Sequence, residues 1–244
     1  MMPKKIILEK NYREKYGDKL AYILTELILS EDRKCKVKFS LEELISGAGL
    51  KPRGGKEGVN EEIKNLIESM INEGMIFAND SMDNIRITSL IKCRLGEIYD
   101  INTNGQKINW FALNINNYLK ILDDKSKLSK FTLINIYFYI SARIIKRNDD
   151  ISNIRITGGM AEVFWDSQDF MCKELEISKR TLNTYLNYLR ELKLICYGNI
   201  GRIVKDNRIR EANNVYAIDE EELKDGLKQS LYYWENKGWK VTSK

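Results

Sequence analysis

Between Phe170 and Ile195 the sequence leaves the backbone few choices. Leu175, Ile177, Leu182, Leu186 and Leu189 recur at helical spacing. Ser167 is placed to cap a helix running to Glu176, and Ser178 to cap another running to about Lys193. Two helices joined by so short a turn must brace each other through those apolar side chains. The second helix then presents Lys179, Arg180, Asn183, Thr184 and Asn187 on its outer face, the arrangement of a helix-turn-helix that reads a DNA groove.

The exposed residue types suit that task. Lys and Arg pair with phosphates or guanine, Asn pairs with adenine through two hydrogen bonds, and the amides from Ser178 to Thr181 form a helix N-terminus that attracts a phosphate. From Phe170 to Arg210 there are nine basic residues and four acidic ones, a net of +5. The formal net charge of the whole chain is also +5, so the rest sums to zero. Positive charge gathered beside a recognition helix is the electrostatic footprint of DNA binding. Arg190 extends the helix face, and Arg202, Lys205, Arg208 and Arg210 follow in a segment able to grip the backbone. Tyr185 and Tyr188 keep the apolar rhythm and are read as packing residues.

The helix-turn-helix belongs to a longer series in which residues 131–218 form a C-terminal domain. A helix from Phe131 to Lys146 comes first, then a strand-like Ile154 to Thr157 and the two helices just described. Strands at Ile195 to Tyr197 and Asn214 to Ile218 follow, around a turn at Gly198 to Gly201. Residues 1–95 show a similar order. Leu20, Ile23, Leu24, Leu27 and Ile28 mark one helix, and Ser40 with Glu43 forms a capping box for a second that ends near Gly47. A third helix spans Val59 to Glu73, closed by Gly74, and strands are expected at Ile76 to Ala78 and Asn84 to Ile91. Residues 96–130 read as a connector, with a hairpin around Asn104-Gly105 and a helix from Asn116 to Leu122. In the C-terminal helix, 219–244, Leu223, Leu227, Leu231 and Trp234 form a stripe expected to dock on the body or on a second subunit.

Helix, helix, helix, hairpin is the winged-helix order. The stretch from Leu175 to Ile195, ending in Asn214-Val-Tyr-Ala-Ile218, resembles winged-helix proteins of low-GC Gram-positive bacteria. The tandem arrangement resembles replication initiators and replisome organisers of plasmids and phages. The fold class expected is therefore mainly α with small β-hairpins (α+β), as two tandem winged-helix domains plus a C-terminal helix. The resemblance implies sequence-specific binding of double-stranded DNA at origin or operator repeats, by a homodimer that engages host replication proteins. A winged-helix transcriptional regulator is the alternative, and a protein-interaction module an alternative of another class. The third helix of the first domain has Glu61, Glu62, Glu68 and Glu73 against Lys64, so phosphates would repel it and a dimerisation or partner role is expected.

Other functions find little support. There is no histidine, which removes the usual general base and the commonest metal ligand. Cys35, Cys93, Cys172 and Cys196 are scattered without a Cys-x-x-Cys pair. The loop from Gly49 to Glu57 fails as a phosphate-binding loop, because its first glycine is one residue too far from Gly55-Lys56 and Glu57 replaces the required hydroxyl. The acidic run Asp219 to Glu222 is simplest as a helix start. No enzymatic activity, cofactor or metal is expected. No apolar run approaches the ~20 residues of a membrane span, and Met1 to Lys10 is too short in apolar residues for a secretory signal, so the cytoplasm is the expected location.

Overall fold

The computed structural model describes residues 6–79, 82, 85–96, 110–145 and 161–242. It is mixed α and β and divides into two units, Met1–Ile134 and Asn135–Lys244, the division falling inside helix α6 (Lys130–Arg143).

In the first unit β1 (Ile6–Glu9) pairs antiparallel with β5 (Trp110–Leu113), so a strand from the presumed connector belongs to this unit. After the single turn α1 (Tyr12–Lys15), helix α2 (Gly17–Ser30) buries Leu20, Ile23, Leu24, Leu27 and Ile28 as its spacing predicts. The Tyr22 hydroxyl donates to the Leu44 carbonyl at 2.9 Å and ties α2 to α3 (Leu41–Gly47). Helix α3 opens with the expected capping box: Ser40 Oγ accepts from the Glu43 amide at 3.2 Å and Glu43 Oε2 from the Ser40 amide at 2.8 Å. Helix α4 (Val59–Asn72) buries Ile63, Ile67 and Met70. Strands β2 (Val37–Phe39), β3 (Ile76–Ala78) and β4 (Ile91–Leu95) form a sheet in the order β2-β4-β3. The last of these strands differs from the expected Asn84 to Ile91. Ile91 and Cys93 face the core while Lys92 and Arg94 face outward, and this later alternation is the one that fits between β2 and β3. Helix α5 (Ile115–Leu122) follows, and Tyr118 on it donates to the Glu26 carboxylate. The hairpin expected at Asn104-Gly105 lies outside the described residues.

The second unit continues from α6 through β6 (Phe164–Asp166), α7 (Gln168–Leu175), α8 (Lys179–Glu191), β7 (Cys196–Gly198) and β10 (Asn214–Ala217), with the sheet order β6-β10-β7. The strand expected at Ile154 to Thr157 lies outside the described residues. Counting only the strands of the β2-β4-β3 and β6-β10-β7 sheets and the helices that precede and separate them, both units run helix, strand, helix, helix, strand, strand, and in each of these two sheets the third strand lies between the first two. An aromatic row, Tyr139 to Phe164 (5.9 Å between centroids), to Tyr216 (5.6 Å), to Tyr197 (5.6 Å), joins α6 to all three strands of the second sheet.

Between β7 and β10 the chain makes a hairpin that sequence reading reduced to a turn. Strands β8 (Arg202–Lys205) and β9 (Arg208–Glu211) meet at Asp206-Asn207, both left-handed at φ 50° and 61° as a two-residue hairpin turn requires. Strand β11 (Lys240–Thr242) adds to the other edge of β8. The tail docks on its own unit. Along α9 (Glu220–Asn236), Leu223 and Leu227 pack on a cluster that includes Val163, Cys196 and Val215, and Trp234 lies with Ile203 and Ala212. Asp219 caps α9 through the Glu221 amide, and Glu222 accepts from the Glu162 amide at 2.8 Å, so two of the four acids hold backbone groups.

The helix ends of the two units correspond. After α3 and α4 the chain turns through Gly49 and Gly74, both at φ 70°; after α7 and α8 it turns through Glu176 (φ 54°) and Lys193 (φ 56°). The Leu194 amide bonds to the Leu189 carbonyl and the Lys193 amide to the Arg190 carbonyl, a closure with the left-handed residue at Lys193. A side chain there costs energy that glycine avoids. Lys193→Gly should stabilise the protein by about 0.5–1 kcal/mol and raise the calorimetric midpoint by about 2 °C. A lowered midpoint would show that the Lys193 side chain contributes more than its backbone strain costs.

Candidate nucleic-acid interface

The turn from α7 to α8 is three residues long, Glu176-Ile177-Ser178, where its counterpart between α3 and α4 runs from Ala48 to Gly58. Leu175, Leu182, Leu186 and Leu189 are buried together with Tyr185, and Ile177 and Tyr188 are half-buried, which leaves one polar face of α8 toward solvent. On that face Lys179, Arg180, Thr184, Asn187 and Arg190 are exposed and Asn183 is half-buried.

The predicted residues divide by what already holds them. Ser178 caps α8: its Oγ accepts from the Thr181 amide at 3.1 Å and shares a 2.8 Å hydrogen bond with Thr181 Oγ1. Asn183 Oδ1 accepts from Gln168 Nε2 at 2.7 Å and so links the two helices. Thr184 Oγ1 donates back to the Arg180 carbonyl at 3.0 Å. Asn187 Oδ1 accepts from Arg190 Nη2 at 3.0 Å and from the Tyr197 hydroxyl at 2.7 Å, and the Arg190 guanidinium lies 5.0 Å from the Tyr197 ring centre. Those bonds use the carbonyl oxygens of the two asparagines. Lys179 Nζ sits 2.8 Å from Asp169 Oδ1, and this hydrogen bond holds the ammonium above its ordinary pKa, with Glu211 adding to the effect through space. Both side chains of that pair are mostly exposed, so salt screens it readily.

The hairpin cations separate in the same way. Arg202 and Arg208 are exposed on β8 and β9. Lys205 Nζ donates to the Lys237 carbonyl at 2.7 Å, where it complements the C-terminus of α9. The Arg210 guanidinium packs against two indoles that meet edge to face, 4.4 Å from the centre of Trp234 and 4.7 Å from that of Trp239. Lys205 and Arg210 thus fasten the hairpin to the C-terminal segment, a role with no local signal because the partners lie more than twenty residues away in sequence. Sequence reading likewise passed over Asp169, Gln168 and Tyr197, which orient Lys179, Asn183 and Asn187 from α7 and β7.

The first turn of α8 contrasts with those of α3, α4, α7 and α9, and it shares the lack of an acid with α5 and α6. Helices α3, α4, α7 and α9 each carry at least one acidic residue in the first turn, where the helix dipole favours negative charge. Helix α8 carries no acid there and begins with Lys179 and Arg180. Two cations against the dipole cost the isolated protein stability, and an anion at the same place would reverse that cost.

The four thiols are unpaired; burial pushes those of Cys93 and Cys196 up to about 11. Among the described residues no group of three acids or cysteines could hold a metal ion, and no helix is long and apolar enough to cross a membrane. Comparison with models of known families and with curated proteins finds no match to this chain.

Proposed function

We propose that the chain is a sequence-specific double-stranded DNA-binding protein built from two tandem winged helices, with α8 as the recognition helix. The observation that carries this reading is the exposed N-terminal turn of α8, where Lys179 and Arg180 stand against the dipole beside Thr184 and Asn187. Arg202 and Arg208 supply further phosphate contacts from the hairpin. The shared element order and sheet order of the two units support the winged-helix reading of both. With the resemblance to plasmid and phage replication proteins, the role proposed is to initiate or organise replication as a homodimer on repeated sites.

The test is the salt dependence of duplex binding. Four cations facing phosphates, Lys179, Arg180, Arg202 and Arg208, should give a log–log slope of about −3.6 per protomer, because each neutralised phosphate contributes about 0.9. Selection from a random duplex pool should converge on one motif. A flat salt response would refute the assignment and leave the second class of function, a protein-interaction module, and a steep slope with no motif would refute the sequence specificity.

A further inference from the structure

The acidic α4 of the first unit is badly suited to phosphates, yet the sheet of that unit has the opposite character. Val37, Phe39, Ile76, Ile91 and Cys93 point into the core. The outward positions of the same three strands are Lys38 on β2, Lys92 and Arg94 on β4, and Phe77 on β3, all exposed, with no acid among them.

The register sets these four side in one row. Lys38 lies directly opposite Lys92, and Phe77 directly opposite Arg94, while Lys92 and Arg94 are two residues apart on one face. Like charges directly across a strand pair destabilise it, and this sheet keeps such a pair at its centre. Lys36 extends the row beyond β2. The nearest acid in that loop, Asp32, is turned to the Lys34 and Lys36 amides at 2.7 and 2.9 Å, which hold its carboxyl below the usual range. Phe77 is 63% exposed, a large apolar ring left in water among cations.

We propose that this face binds a single strand of nucleic acid, with the phosphates along Lys38, Lys92 and Arg94 and a base stacked on Phe77. The charge row matches a polyanion, and an aromatic ring beside such a row is what unpaired bases stack on. A duplex keeps its base faces stacked internally and offers none to Phe77; an acidic peptide matches the charge but leaves the ring unused. The site is built from residues of the first unit and α8 from the second, so the proposal is tested independently of the duplex-binding reading.

The experiment uses the full chain and a labelled oligothymidylate of about 16 nucleotides, at the upper end of the strand length such sites occupy. Phe77→Ala should weaken binding about tenfold, Phe77→Trp should restore it, and neither should alter duplex binding. Lys38→Gln with Lys92→Gln should lower the salt slope by about 1.4, since each single-strand phosphate contributes about 0.7. Because all three side chains are exposed, the fold should tolerate each change, and an unaltered unfolding midpoint checks this. The proposal is overturned if the wild type fails to bind the oligonucleotide, if Phe77→Ala binds as well as wild type, or if polyglutamate competes as effectively as the oligonucleotide. The last outcome would assign the face to an acidic protein.

Discussion

A chain carrying Lys179→Glu together with Arg180→Glu is expected to bind duplex DNA at least about a hundredfold more weakly at roughly 0.1 M salt, with its log–log salt slope reduced by about 1.8. Loss of two phosphate contacts accounts for most of this, and repulsion by the new carboxylates adds to it. The same change should not unfold the protein. Residues 179 and 180 occupy the first turn of α8, where carboxylates suit the helix dipole and the lysine and arginine do not. Against that gain stand the lost pair with Asp169 and new repulsion from Asp169 and Glu211. Binding by anisotropy and unfolding by circular dichroism should therefore separate. Unchanged duplex binding in a folded double variant would remove α8 from the interface, and lost binding with a collapsed midpoint would make the two cations structural.

The second large effect is expected at Gly226. A Cβ at this position would lie 2.6 Å from Val163 Cγ1 and 2.8 Å from Val215 Cγ1, closer than carbon atoms approach without displacement. Both valines are fully buried, so they have little room to yield. Gly226→Val should destabilise the second unit by about 1–3 kcal/mol or more, because the helix must lift from the sheet to accept the side chain. Lifting α9 would also loosen Trp234 from Arg210 and the Lys237 carbonyl from Lys205. Proteolysis should then cut first within Glu220–Asn236, and tryptophan emission should shift to the red. A variant with the wild-type midpoint and cleavage pattern would show that α9 is not held as closely as the Gly226 contact implies.

The hairpin cations gain a different meaning from these contacts. Sequence reading grouped Arg202, Lys205, Arg208 and Arg210 as one basic segment, but Lys205 and Arg210 hold the C-terminal segment while Arg202 and Arg208 face solvent. A lysine exposed to solvent and one capping a distant helix look alike in sequence. Their difference lies in partners brought close only by the fold.

What was readable in advance was whatever repeats within a few residues. The apolar rhythm of α2, α4 and α8, the Ser40–Glu43 capping box, and the serines at 167 and 178 are local devices, since helical hydrogen bonds and caps span three or four residues. Strands of three or four residues carry too little alternation to announce themselves. Strand β9 is exposed at every position and carries no alternation, and β4 begins where the expected strand Asn84 to Ile91 ends. Pairing partners such as Ile203 with Val241, or Lys38 with Lys92, lie tens of residues apart, so no local pattern encodes them. The sequence by itself thus determined helices α7 and α8, the short turn between them and the two cations that open α8, because helices form from near neighbours. Only the tertiary structure decided which cations remain exposed and which outward residues share a sheet face, because strand pairing and helix docking are set by contacts between segments remote in the chain.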